Sequence, residues 1–147
     1  DYPLAVELRH RSWTEERGLL RLLESYDVAW CMIDEPKFSS SIGEVPVVGK
    51  LGYFRFHGRN AKEWWKGDRE TRYNYLYTPQ EISSSAQKVA MVAEKAPNTF
   101  VFYNNHFGAK AVVNAMQMKL KFNQTVPGEL PAGLIERYPE LKDGVII

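Results

Sequence analysis

The sequence predicts an α/β protein with parallel strands, arranged as a (β/α) barrel or part of one. Three observations lead there. Four short apolar segments alternate with helical patterns, as crossover-connected parallel strands do. Two of these strands break the continuous apolar run usual for strands buried on both faces. Glu7 and Arg9 share one face of the first, and Arg55 and His57 share a face of the third with Tyr53. These polar residues also lie toward the C-terminal ends of their strands, where barrel enzymes build their sites. A barrel lumen offers such a face something wet or internally paired to look into.

The first strand is Leu4 to His10, apolar and polar in alternation. From Thr14 to about Ser25, Leu19, Leu20, Leu22 and Leu23 recur at helical spacing among charges. Val28 to Ile33 is the second strand, followed by Asp34-Glu35-Pro36. Pro36, Ser39 to Ser41, Gly43, Pro46 and Gly49 then give loop chemistry with no helix before Leu51. The third strand runs from Gly52 to Arg59 and leads into an irregular stretch, Asn60 to Tyr77, rich in Trp, Tyr and charge. Thr78-Pro79-Gln80-Glu81 opens a helix: Thr78 caps, Pro79 suits the first helical position and Glu81 completes a capping box. Its apolar face is Ile82, Ala86, Val89, Ala90 and Ala93, and Ala96-Pro97-Asn98 stops it. Phe100 to Asn105 is the fourth strand, and a third helix is expected from about Gly108 to Met118. The tail from about Thr125, with Pro127, Gly128, Pro131, Gly133 and Pro139, reads as extended or short-helical wrapping.

At 147 residues the chain is one domain's worth. A composition of 44% hydrophobic and 25% charged residues excludes a disordered or collagen-like chain. No apolar run approaches the ~20 residues of a membrane-spanning helix. Nineteen Lys+Arg against eighteen Asp+Glu leave +1, so net charge points to neither nucleic acid nor membrane. The single cysteine, Cys31, reads as a buried thiol, and a reducing cytoplasm is the expected compartment. The opening on Asp1 suits an excised fragment or a processed product.

Arg55, His57 and Arg59 form the strongest constellation. Arg presents a planar fork suited to carboxylate or phosphate, and His exchanges protons near neutral pH. The bland alternative has Arg55 neutralising Glu7 or Asp34, with His57 a hydrogen-bonded wall residue. Glu7 and Arg9 read equally as carboxylate and anion clamp or as a structural ion pair. Asp34 and Glu35 point opposite ways on an extended chain, so one of them reaches the site, and Asp34 lies in register with Trp30 and Met32. Asn104 and Asn105 can orient a hydroxyl, or one of them caps the next helix. Trp13 follows the first strand and would line the same rim. A divalent metal has weak support, because His10, His57 and His106 stand on three separate segments; no metal ligand and no cofactor are assigned.

Four ordered motifs carry a resemblance: Ala5 to Trp13, Asp34-Glu35-Pro36, Tyr53 to Arg59, and Phe102-Tyr103-Asn104-Asn105 with Ala109 and Asn114. In this order they resemble the C-terminal half of the domain of unknown function 72 family, also called YecE-like, over about residues 3 to 122. The resemblance implies the last four strands of a TIM-like barrel nearly twice this length, a family without an established activity. The family's Gly-Thr-Ser-Gly-Trp opening has no counterpart here. A half barrel leaves two sheet edges open, so pairing with a second copy or with the absent N-terminal half is expected.

The expected function is an enzyme on a small polar or anionic, sugar- or phosphate-like substrate. Glu7, Asp34 and His57 are the catalytic candidates, and Arg9, Trp13, Arg55, Arg59, Asn104 and Asn105 the substrate-binding ones. The step from barrel to enzyme is analogy. The alternatives are a non-catalytic scaffold and a nucleic-acid binder resembling barrel-type repair nucleases. In the latter, Arg59, Lys62, Lys66, Arg69 and Arg72 interleave with Trp64 and Trp65, diluted by Glu63, Asp68 and Glu70.

Overall fold

The computed structural model describes residues 2–126, 128–139 and 141, with Arg69 described by its backbone only. Asp1 and Pro127 lie outside the described residues. The fold is mixed α/β with parallel strands throughout its sheets. β1 (Leu4–Val6) pairs with β2 (Val28–Trp30), and β3 (Met32–Asp34), β4 (Leu51–Phe56) and β5 (Asn98–Tyr103) form a second sheet in the order β3-β4-β5. Among the described residues these sheets are open; no closed barrel forms.

The predicted second strand is split at Cys31. Its first half pairs with β1 and its second half with β4, and the Cys31 N–H bridges the break by donating to the Val6 carbonyl at 2.9 Å. The first strand is shorter than predicted and ends at Val6, so Glu7 and Arg9 leave from its C-terminal end. The third ends at Phe56. His57 N–H still donates to the Asp34 carbonyl, and Gly58 then turns away with φ +87°, a conformation that favours glycine.

The first predicted helix is two pieces, α1 (Ser12–Glu15) and α2 (Leu19–Ser25). Extended backbone at Glu16 interrupts the ladder, and Leu19 and Leu23 alone of the four leucines are buried. A short α3 (Arg69–Arg72) interrupts the Asn60–Tyr77 stretch, its start capped by the Asp68 side chain accepting from Thr71 N–H. α4 (Pro79–Lys95) begins with the predicted capping box: the Thr78 side chain accepts from Glu81 N–H, and Thr78 N–H donates to Glu81 Oε2. α5 (Lys110–Lys121) starts two residues later than predicted, after a 3-10 turn at Phe107–Ala109. Gly108 and Ala109 sit there at φ +60° and +63°. α6 (Ala132–Arg137) is the short-helical part of the tail, and Tyr138 and Leu141 beyond it pack on Val113 of α5.

Register assigns the two faces of the second sheet. Phe54 and Phe56 point to the side covered by α4, in a core with Tyr77, Ile82, Ala86, Val89 and Val92. Tyr53 and Arg55 pair with Phe100 and Phe102 and take the other face. There Tyr53 stacks on Phe102 at 4.9 Å, and Phe100 and Phe102 remain half exposed. A third packing centre joins Leu19, Leu23, Trp30, Ile42 and Val48.

The β3–β4 crossover carries no helix, as predicted. Instead of a helix it leaves a cleft of about 930 Å³ between residues 35–47 and α4, on the face opposite Arg55, with Met32, Phe54 and Val92 in its wall.

Candidate functional site

Chain ends from three strands converge on His57. Its side chain is fully buried. Arg9 Nη2 lies 3.0 Å from His57 Nε2, Asn104 Nδ2 lies 3.1 Å from Nδ1, and Glu7 Oε1 is 3.5 Å from Nε2. A neutral imidazole accepts at one nitrogen only. When Arg9 donates to Nε2, the proton sits on Nδ1 and the Asn104 amide presents its oxygen there; amide orientation is an assignment that this network decides. Asn104 is held in place by its own N–H, which donates to the Phe56 carbonyl at 2.7 Å.

Glu7 is the hub of charge. Arg9 Nε donates to its Oε1 and Arg55 Nη1 to its Oε2, both at 2.6 Å. Burial pushes the Glu7 carboxyl up, but His57, Arg9 and Arg55 beside it outweigh burial and hold it at about 2. It is ionised at every ordinary pH. Among the described residues Arg55 gives only Nη1 to Glu7, and its side chain is 34% exposed, so most of its five donors have no hydrogen-bond partner there.

Glu35 stands behind Arg9. Its side chain is buried, its Oε2 is 3.8 Å from Arg9 Nη1, and that oxygen has no hydrogen-bond partner. Burial raises this carboxyl above its ordinary value, more than Arg9, His57 and Lys37 lower it. The same geometry leaves Cys31 inert: burial, then the Glu7 charge, pushes its thiol up to about 12.

Asp34 and Arg59 belong to a separate network. Asp34 pairs in register with Phe56, on the helix-covered face, and so turns away from Glu7. Arg59 grips it with two hydrogen bonds, Nε to Oδ1 at 2.8 Å and Nη2 to Oδ2 at 2.6 Å, and gives Nη1 to Glu81 at 2.8 Å. Tyr77 donates to Asp34 Oδ1 while accepting from Gly58 N–H, and Tyr75 donates to Glu81. Burial and then the Asp34 charge raise the Tyr77 hydroxyl far above the usual tyrosine value. This network straps the 59–81 segment to the ends of β3 and β4.

Of the residues singled out in the sequence, the structure therefore brings together Glu7, Arg9, Arg55, His57 and Asn104. It holds Asp34 and Arg59 apart from them. Asn105 is fully buried and donates to the Tyr75 carbonyl and to Asn114, which in turn brackets Tyr77 N–H and C=O. Trp13 lies on α1, exposed, and no hydrogen bond or ring contact joins it to the cluster among the described residues. In the aromatic segment Trp64 is buried edge-on against Tyr73, whereas Trp65, Lys62 and Lys66 are exposed. No group of three or more His, Cys, Asp or Glu among the described residues could hold a metal ion.

Sequence reasoning passed over Glu35 in favour of its neighbour. The signal was present: Trp30 and Met32 both point into helix-covered cores, and a residue in register with them points there too. The sequence presents Glu81 as a cap and Tyr77 as the end of an irregular stretch, because Arg59 and Asp34, which they meet here, lie more than twenty residues away.

An α/β fold of parallel strands with a charged cluster at the strand ends defines a class without a reaction attached. The chain belongs to the DUF72 family of proteins of unknown function, whose profile matches residues 1–134. It is 32% identical over 131 residues to the UPF0759 protein YunF of Bacillus subtilis (strain 168), covering 80% of this chain and 46% of that one. Among solved structures it is similar to a DUF72 family protein of Thermotoga maritima MSB8, with TM-score 0.76 and 34% identity, over 84% of this chain and 47% of the other. A DUF72 family protein of Enterococcus faecalis V583 is similar at TM-score 0.76 and 31% identity, over 89% and 52%. The chain thus spans about half the length of the relatives it matches. No helix among the described residues is long and apolar enough to cross a membrane.

Proposed function

We propose that the chain is the C-terminal arc of a TIM-like (β/α) barrel, and that Glu7, Arg9, Arg55, His57 and Asn104 form the site of an enzyme for a small anionic substrate, sugar- or phosphate-like. The barrel reading draws support from strands that are all parallel and follow one another in chain order, and from relatives about twice as long. The half-exposed Phe100 and Phe102 beside Tyr53 suit a face that the rest of a barrel, or a second copy, covers. β1 and β5 each have one partner strand among the described residues, which leaves edges for such pairing. A free buried thiol at Cys31 agrees with a cytoplasmic setting.

The observation that carries the site reading is Arg55. Two guanidinium groups share one firmly ionised partner, Glu7, and Arg55, its side chain 34% exposed, keeps most of its donors uncommitted. An anion there completes a fork that matches carboxylate or phosphate oxygens. His57, oriented by Asn104 and Arg9, presents an imidazole that can hand a proton to or from a bound substrate. Glu7 orients the guanidiniums; a carboxyl held so low is a poor base. Asp34 and Arg59 brace the overlying segment and take no part in the chemistry. Nucleic acid is the weaker reading, because Arg59 is committed to two carboxylates and Trp64 is buried.

The test is calorimetric titration of the chain, and of a full-length relative, with sugar phosphates, nucleotides, small carboxylates and short oligonucleotides. Arg55→Ala should weaken binding of a small anion about tenfold or more, the value of one charge-assisted hydrogen bond. An anion that binds the Arg55→Ala protein as well as the wild type removes the assignment, as does binding confined to oligonucleotides.

A further inference from the structure

Within the cluster one polar atom is left over. Arg9 spends Nε on Glu7 at 2.6 Å and Nη2 on His57 at 3.0 Å, but its Nη1 stops 3.8 Å from Glu35 Oε2. That is roughly 1 Å longer than a charge-assisted hydrogen bond, and no other donor reaches this buried oxygen. A carboxylate in that position bears its desolvation penalty with little return, whereas a protonated carboxyl does not. Two events relieve it: Glu35 takes up a proton, or Arg9 closes the gap.

We propose that Glu35 is the proton-exchanging group of the anion site: it carries a proton while an anion occupies Arg9 and Arg55, and takes the Nη1 edge of Arg9 as a carboxylate when the anion leaves. The inference rests on the anion-site reading above. An anion at the guanidiniums competes with Glu35 for Arg9 and adds a like charge beside it, so it favours the protonated form. By reciprocity, protonation of Glu35 strengthens the anion's hold. The groups that face Glu35 are Arg9 and Glu7 from the end of β1, His57 from the end of β4, and Lys37 from its own loop. Asp34, its sequence neighbour, is turned to Arg59 and Tyr77. Burial, the largest influence on Glu35, raises its carboxyl above the ordinary value. Glu7 stays ionised throughout, so the two carboxylates divide the work: one fixes the guanidiniums and the other trades a proton against the ligand.

The probe is inorganic sulfate, whose charge does not change over the range studied. Its binding to the whole chain is measured by calorimetry between about pH 5 and pH 8. Wild-type affinity should fall with rising pH, by at most about tenfold per pH unit for one linked proton. Glu35→Gln keeps the neutral shape and His57. It should match wild type at the acidic end and bind about fivefold or more tightly than wild type at the alkaline end. Superimposable pH profiles overturn the role of Glu35 while leaving the anion site standing. Absence of sulfate binding at every pH overturns the site itself and the inference with it. A second measurement needs no variant: carbon-13 NMR of the wild-type Glu35 carboxyl should give a midpoint above the ordinary glutamate value that rises further with sulfate, and a midpoint unmoved by sulfate overturns the proposal.

Discussion

Glu7 holds the cluster together, so its charge should be worth a measurable share of stability. The perturbation is Glu7→Gln, which keeps the side-chain shape and removes the charge. In the folded chain the Glu7 carboxyl sits at about 2 against an ordinary 4.5, with 18% of the side chain exposed. That displacement corresponds to about 3 kcal/mol of stabilisation in the ionised form. Because the folded value is the lower one, the stabilisation is complete above the unfolded value of 4.5 and is lost as pH falls from there through about 2. Urea denaturation followed by circular dichroism, at a series of pH values, should therefore show the variant about 3 kcal/mol less stable at neutral pH. The gap should narrow steadily below pH 4.5. A gap under about 1 kcal/mol at neutral pH, the value of an ordinary surface ion pair, refutes the reasoning. So does a gap that stays constant down to acid pH.

Two further substitutions probe the scaffold around the site. Gly58→Ala places a Cβ 2.8 Å from Tyr75 Cβ at a φ of +87°. Backbone strain and overpacking together should cost about 2–4 kcal/mol in urea unfolding, and displacing His57 should weaken anion binding as well. Stability within about 0.5 kcal/mol of wild type would show that the turn relaxes freely. Asn114→Ala strips partners from the buried N–H and C=O of Tyr77 and from Asn105. It should cost about 2–5 kcal/mol by the same assay, and any anion still bound should remain sensitive to Arg55→Ala. Loss of under about 1 kcal/mol would mean the bracket is not needed.

Local chemistry was legible from the chain alone. The capping box at Thr78 and Glu81 is written in adjacent residues, and a helix start depends on little else. The parallel strands, the helix-free β3–β4 crossover and the buried thiol also followed from periodicity and turn residues. Strand ends were less legible. The split at Cys31 depends on which neighbour each half meets, β1 for the first and β4 for the second, and that is a property of the sheet.

The candidate site divides along the same line. Alternation placed Glu7 with Arg9 and Arg55 with His57, and these residues do meet at Glu7, although Glu7, Arg9 and His57 stand just beyond the strand ends. The charge bookkeeping between them did not follow. Arg55, Arg59 and Arg9 are alike in sequence, yet Arg59 closes on Asp34 and Glu81, Arg9 divides its hydrogen bonds between Glu7 and His57 and stops short of Glu35, and Arg55 keeps most of its donors. Likewise Asp34 and Glu35 are adjacent carboxylates with opposite fates, one gripped by Arg59 and one buried beside Arg9 without a hydrogen bond on Oε2. Sequence determines which ionisable groups exist and which face of a strand they take. Only the packed chain decides which guanidinium reaches which carboxylate, because partners separated by tens of residues meet through the register of neighbouring strands, and the desolvation that decides a proton's place arises only when they do.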